Sequence, residues 1–377
     1  MKVAAINRKQ TLEELVDLIK TDSASGQEGA VSAKLQAALL ELGFYVETDR
    51  AGDTFGGECG NIFAFRDGEV DGAVLFSSHM DRVAGGKGIK PVLREGILYS
   101  DGTTILAADD LSGVCAILNG VRTAMASGQP LPRIEICFTV AEEIGLYGAK
   151  ALDFSKIQSK FGFAFDSPGR VGSIITAAPG MYKIYGEITG KAAHAGNAPE
   201  DGIDAAHAMC KMLFTLKKGR LSATATSNFP YLTTNEAMLN AICPKAFFRG
   251  EARSRNAQEL EQYVAYVENH CQMVSQECGT QLDIRLEKCF VPFAVEGDSP
   301  VLSICRKAIE KLGIESLFQV GGGGMDANIF NAAGIPMVGV ATGYSKNHTF
   351  DEQLILEDFY LAGQLAAEII YACKELA

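Results

Sequence analysis

Ala107-Ala108-Asp109-Asp110-Leu111-Ser112-Gly113 sets two adjacent carboxylates between the loop Asp101-Gly102-Thr103-Thr104 and the apolar run Val114-Cys115-Ala116-Ile117-Leu118. The run predicts a helix over 110–126, so the pair stands where a loop enters a helix. Carboxylates in that position serve either as an N-cap with a solvated neighbour or as a fixed anchor for a cation. The pair alone does not choose between the two.

Its company does. Ser77-Ser78-His79-Met80-Asp81 follows the apolar run Ala73-Val74-Leu75-Phe76. Ala141-Glu142-Glu143-Ile144-Gly145 follows Ile134 to Val140, and Asp166 ends Phe161-Gly162-Phe163-Ala164-Phe165. Near the C-terminus, Pro336 to Val340 leads to Asn347-His348-Thr349-Phe350-Asp351-Glu352. Each candidate ligand lies just past a short β-branched or aromatic run, the pattern expected at the C-terminal edge of an α/β sheet. Alternating strand, ligand and helix segments predict crossover units and a mostly parallel sheet between helices.

From about residue 179 the character changes. Tyr182 to Ile188 alternates as a half-exposed strand, 203–216 reads as a helix, and 240–250 and 281–287 read as strands around a helix starting at Asn256. The reading is therefore a catalytic α/β domain over 1–178 and 291–377, interrupted by an α+β module over 179–290. At the N-terminal end, Thr11-Leu12-Glu13-Glu14 and Ser25-Gly26-Gln27-Glu28 read as capping boxes opening two helices, the second stopping at Gly43. The run Gly321-Gly322-Gly323-Gly324 is a weak phosphate-loop signal, because no Lys-Ser/Thr pair follows it, and reads instead as a tight backbone approach at the cleft.

A net charge of −12 over 377 residues argues against a nucleic-acid surface or a polybasic membrane patch, and no apolar stretch is long enough for a membrane span. The ten cysteines include no Cys-x-x-Cys pair. They read as reduced, in a cytoplasmic protein without a signal peptide. Only five histidines can supply imidazole ligands: His79, His194, His207, His270 and His348. Of these, His207 and His270 fall within helical patterns and read as structural.

If His79, Asp109, Glu143, Asp166 and His348 share a site, three carboxylates and two neutral imidazoles carry a charge of −3. One divalent ion leaves −1; two leave +1, which a bridging hydroxide neutralises. The count favours two ions sharing a carboxylate. Nitrogen and oxygen donors without sulfur suit zinc, and also cobalt or manganese. Such ions lower the pKa of bound water to roughly 7. In Glu142-Glu143, one carboxylate can bind metal while its neighbour takes and returns a proton. Asp81, two residues after His79, is placed to accept the imidazole's other N–H.

These motifs, with Ser100 to Asp110, Gly322-Gly323-Gly324 and Asp326-Ala327-Asn328, resemble over nearly the whole chain the co-catalytic di-zinc exopeptidases. The resemblance is to the peptidase T-like branch of the aminopeptidase and carboxypeptidase family that includes carboxypeptidase G2 and succinyl-diaminopimelate desuccinylase. It implies that Asp109 bridges two zinc ions, with His79 and Asp166 on one and Glu143 and His348 on the other. It implies Glu142 as general base, Asp81 as the catalytic partner of His79, and the inserted module as a lid and dimerisation domain of a homodimer. His194 in Gly190 to Gly196, Asn240 and Arg253 match positions that contact substrate in relatives. Leu111 and Met325 depart from the usual Lys and Ser, which leaves specificity less determined than chemistry. The expected activity is hydrolysis of short peptides, as a tripeptide aminopeptidase. The alternatives are an N-acyl amino acid deacylase or carboxypeptidase with the same metals, an inactive binding homologue, and the tetrahedral-shell aminopeptidase group.

Overall fold

The computed structural model describes residues 5–234 and 238–374, which fall into two compact units. One unit comprises Met1–Ala177, Ala294–Gly321 and Met325–Ala377; the other comprises Ala178–Phe293 and Gly322–Gly324.

The first unit opens with α1 (Arg8–Ile19) and α2 (Gly29–Glu41). Neither capping box forms. Asn7 caps α1 by accepting from the Gln10 N–H, and Thr11 lies inside the helix with its hydroxyl on the Asn7 carbonyl. Ser25 does not cap α2; its hydroxyl goes to Asp81. At α1 an earlier local cap replaced the expected one, and at α2 a tertiary partner, Asp81, took the serine hydroxyl. Gly43, at φ +76°, ends α2 as expected.

Strands β1 (Tyr45–Thr48), β2 (Ile62–Arg66) and β3 (Ala73–His79) follow, then the small hairpin β4 (Val92–Arg94) and β5 (Ile97–Tyr99). Next come α3 (Ala108–Ala126), β6 (Arg133–Thr139), α4 (Tyr147–Ala151), β7 (Gly162–Ser167) and β8 (Ser173–Ala178). In the central sheet β6 separates β2 from β3, although those two are successive in the chain. The pairs β3–β6 and β3–β7 are parallel, whereas β1–β2 and β2–β6 are antiparallel. Strands β3, β6 and β7 are buried along nearly their whole length, which is why they read as continuous apolar runs.

The second unit holds β9 (Gly180–Thr189), α5 (Ala205–Thr215), β10 (Gly219–Arg220), β11 (Ala225–Thr234), β12 (Lys245–Ser254), α6 (Ala257–Glu277) and β13 (Gln281–Phe290). Its antiparallel sheet runs β10-β11-β12-β9-β13. Ile184 and Ile188 of β9 and Ala246 and Phe248 of β12 meet Met209 and Met212 of α5 and Leu260, Val264, Val267 and Cys271 of α6. The helical residues recur every three or four positions, one apolar stripe on each helix. Asn256 caps α6 through the Glu259 N–H. Strand β11 had no clear signal, because Pro230 interrupts a serine- and threonine-rich stretch; the register shifts between Asn228 and Tyr231. Gly324 belongs with this unit: a Cβ there would lie 2.2 Å from the Phe290 ring.

The chain returns through β14 (Phe293–Ala294), α7 (Pro300–Lys311), β15 (Leu317–Val320), α8 (Asp326–Ala332), β16 (Met337–Ala341), β17 (Tyr344–Ser345), β18 (Gln353–Ile355) and α9 (Leu356–Lys374). Strand β16 is parallel to β7 and extends the central sheet. Helix α3 packs so closely on α9 that a Cβ at Gly120 would lie 2.5 Å from the Ala366 methyl. No helix among the described residues is long and apolar enough to cross a membrane.

Candidate metal centre

Parallel strands deliver their C-terminal ends to the same sheet edge, and the ligand candidates follow from there. His79 is the last residue of β3, Glu142 and Glu143 follow β6, Asp166 closes β7, and His348 lies in the loop between β17 and β18. The helical part of α3 starts after Asp110, since Asp109 and Asp110 have non-helical backbone and a cis peptide joins them. This loop enters at Ala107, which is left-handed at φ +61°. Ala141, at φ +51°, and His348 itself, at φ +61°, are left-handed too. A non-glycine residue there costs about 1–2 kcal/mol, so three such residues beside the candidate ligands mean the surroundings hold the loops in place.

Two groups of donor atoms result, each with all atoms within 4.8 Å of one another: His79, Asp109 and Asp166, and Asp109, Glu143 and His348. Asp109 belongs to both. Its Oδ1 is 3.2 Å from His79 Nε2 and its Oδ2 is 3.3 Å from His348 Nε2. Glu143 Oε1 lies 3.1 Å from His348 Nε2, and Asp166 Oδ1 lies 3.8 Å from His79 Nε2. His79 Nδ1 is 2.9 Å from the backbone carbonyl of Asp81 and 3.4 Å from its Oδ1. The nearer partner is thus the carbonyl rather than the carboxylate expected from sequence. Either one can accept from Nδ1–H, which aims Nε2 at Asp109 and Asp166.

The carboxylate of Asp81 has a different load. Fully buried, it accepts from the Ser25 hydroxyl at 2.6 Å, from the Glu142 N–H at 2.9 Å and from the Glu143 N–H at 3.2 Å. Glu28 accepts from Ala141 N–H at 3.0 Å, one residue earlier in the same turn. Asp110 points away from both donor groups: it accepts from Ser78 Oγ and from the His79 N–H at 3.4 Å. A Cβ at Gly113 would sit 1.8 Å from the Phe165 carbonyl and 2.5 Å from Asp110 Oδ1, so only glycine lets α3 approach β7 here.

The electrostatics are those of a site built for positive charge. Burial raises the Glu142 carboxyl well above the usual range; His79 opposes this, and Asp166 and Asp326 add to it. Burial, countered by His79 and reinforced by Asp109, likewise raises Asp166. Asp109 resists its own burial and stays low because His348 and His79 donate to it. The same contacts with Asp109 and Glu143 lift His348 to about 10. Burial works against a charged His79, but Asp109 and Asp81 outweigh it and raise its pKa well above normal. Without a cation, protons on the imidazoles compensate the carboxylates. Two imidazole nitrogens and three carboxylates, with one carboxylate common to both groups, fit a pair of divalent cations.

His194, Asn240 and Arg253 belong to the second unit. The exposed His194 accepts at Nδ1 from the Gly196 and Asn197 N–H groups, both 3.1 Å away, which leaves Nε2 to donate outward. Exposed Asn240 is its neighbour: its carbonyl accepts from the Ala195 N–H at 2.9 Å, and His194 bridges to Ala241. Arg253, half-buried on β12, forms a two-pronged pair with Glu251 at 2.9 and 3.0 Å.

Asn347, Tyr344, Thr139 and Glu352, at the centre, had no role assigned from sequence. Asn347 Nδ2 donates to Asp109 Oδ2 at 2.6 Å, and the Tyr344 hydroxyl donates to Asp166 Oδ1 at 3.3 Å. Thr139 donates to Asp326 at 2.5 Å. Glu352 grips the Asp109 loop through three backbone N–H groups. All four lie within or next to quoted motifs, but nothing in a linear pattern tells a residue that binds a ligand from one that holds the ligand's backbone.

The description Peptidase family M20/M25/M40 matches residues 75–372. An uncharacterised Bacillus subtilis protein, YqjE, is 34% identical over 366 residues, 97% of this chain and 98% of its own length. Among solved structures, aminopeptidase PepT from Bacillus cereus is 34% identical with a TM-score of 0.89, covering 98% of this chain and 99% of its own. A tripeptidase from Staphylococcus aureus is 28% identical with a TM-score of 0.94, covering 99% and 100%. Matched along most of its length in sequence and in backbone, the chain belongs to peptidase family M20/M25/M40 and is peptidase T-like.

Proposed function

We propose that this peptidase is a di-metal aminopeptidase that removes the N-terminal residue of short peptides, tripeptides above all. The observation that carries the reading is the position of Asp109, whose two carboxylate oxygens each face a different histidine within one cluster. His79, Asp109 and Asp166 would hold one cation, and Asp109, Glu143 and His348 the other. Zinc suits this donor set, with cobalt or manganese as substitutes. Bound there, the cations would polarise the scissile carbonyl and make water nucleophilic near neutral pH.

Glu142 performs the proton transfer. Its carboxylate takes the proton of the attacking water and returns it to the departing amide nitrogen. Asp81 keeps Glu142 and Glu143 in register by holding both N–H groups, and keeps His79 in the tautomer that points Nε2 into the cluster. In the second unit, His194 donates from Nε2 to the carbonyl oxygen as it gains charge, and Asn240 and Arg253 bind the peptide's polar ends. The same reading makes that unit a lid and self-association module of a cytoplasmic homodimer. Phe214 on α5, 87% exposed, supports an apolar contact between copies. Sedimentation velocity should give the mass of a dimer; a monomer would remove this part of the reading.

The printed names of the Bacillus cereus aminopeptidase and the Staphylococcus aureus tripeptidase support the substrate class. The test is a panel of free-amine tripeptides, N-acetylated tripeptides and N-acyl amino acids, assayed with zinc. Turnover of the free-amine peptides alone is expected. Turnover of the blocked substrates alone would make the enzyme a deacylase or carboxypeptidase.

A further inference from the structure

Glu352 is 1% exposed and belongs to neither metal-type group, yet its carboxylate is committed to the loop that carries Asp109. Oε2 accepts from the Leu106 N–H at 2.8 Å and the Ala107 N–H at 2.9 Å, and Oε1 accepts from the Asp109 N–H at 3.0 Å. Those three groups bracket the left-handed Ala107. Glu352 also belongs to the loop that carries His348, four residues before it. That loop is closed by the Glu352 N–H on the Thr349 carbonyl at 3.2 Å and the Thr349 hydroxyl on the Lys346 carbonyl at 2.7 Å. One side chain therefore ties together two loops whose ligands must meet across 3.3 Å, from Asp109 Oδ2 to His348 Nε2.

We propose that Glu352 is a positioning residue that aims Asp109 at both cation positions, so that its loss weakens both. This rests on the two-cation reading. Charge-assisted bonds from a carboxylate to backbone N–H groups are about twice as strong as neutral ones, and three of them to one loop set its path as well as its stability. A purely structural anchor would leave the affinity of the cluster untouched once the protein is folded.

The test is a zinc titration against a chromophoric chelator, with circular dichroism and thermal unfolding on the same samples. Wild type should bind two equivalents. Glu352→Gln keeps the volume but turns an amide N–H toward a backbone N–H; it should weaken both equivalents by about 10–100-fold, the usual effect of losing a partner that orients a ligand. Glu135→Gln is the control, since Glu135 is a buried carboxylate accepting from the Gln158 and Ser159 N–H groups outside the cluster. It should lower Tm and leave zinc affinity unchanged. Adding Ala107→Gly to Glu352→Gln relieves the left-handed strain and secures folding; it should recover Tm without recovering affinity. Wild-type affinity in Glu352→Gln, or affinity restored together with Tm in the double variant, would overturn the assignment while leaving the two-cation reading intact. A wild-type protein that binds no zinc would overturn both.

Discussion

The residues around Asp109 and those around His194 carry the same kinds of functional group in opposite settings. In the first unit every candidate ligand except His348 is largely buried, and carboxylates of Asp81, Glu28 and Glu352 hold the backbone behind them. In the second unit His194 and Asn240 are exposed, and the Gly196 and Asn197 backbone N–H groups orient the histidine. Burial makes charge expensive, so the first group must be compensated by cations or protons. Fixed geometry therefore belongs to the buried group, and access to solvent belongs to the exposed one.

The sharpest way to break the comparison is Glu142→Gln. It should lower kcat by about 10²–10⁴-fold, the range for losing a general base, with both equivalents of metal retained. Metal lost along with activity would make Glu142 part of the cluster's frame rather than the proton carrier. His194→Ala should cost about 10²–10³-fold in kcat, as for a lost oxyanion donor, with zinc affinity as in wild type. A changed zinc affinity would mean the two regions are not independent. Arg253→Lys should act mainly on KM, raising it about tenfold, because lysine cannot reproduce the two-pronged geometry. The smallest signal is ionic. His348, lifted to about 10, is protonated at neutral pH before metal enters, and Asp109 and Asp81 push His79 in the same direction. Cations taking up the imidazole lone pairs would expel such protons, so zinc affinity should fall as pH is lowered, and a pH-stat should record at least one proton released per chain. No release would show that the imidazoles enter the cluster already neutral.

The strand-then-ligand rhythm was legible because buried parallel strands are short apolar runs and their C-terminal ends must share an edge. That made His79, Asp166 and the Asp109 loop readable as neighbours although 87 residues of sequence separate the first two. The capping boxes misled for the opposite reason. Ser25 and Glu28 fit a local motif, but Asp81 takes the Ser25 hydroxyl and the buried Ala141 N–H takes the Glu28 carboxylate. Strand β11 was hidden by Pro230, which is tolerated where the register shifts.

Residue type and spacing alone therefore determined the α/β alternation, the interruption near residue 179, the scarcity of imidazoles and the identity of the acidic residues available to a cation. Tertiary structure alone decided which oxygen of Asp109 faces which histidine, that Asp110 turns to Ser78 instead of into the cluster, and that Glu352 binds the backbone of the Asp109 loop. Periodicity reports which side of an element is apolar, a property of neighbours in the chain. The direction of a carboxylate depends on donors that arrive from elsewhere in the sequence, and those distances exist only once the chain has folded.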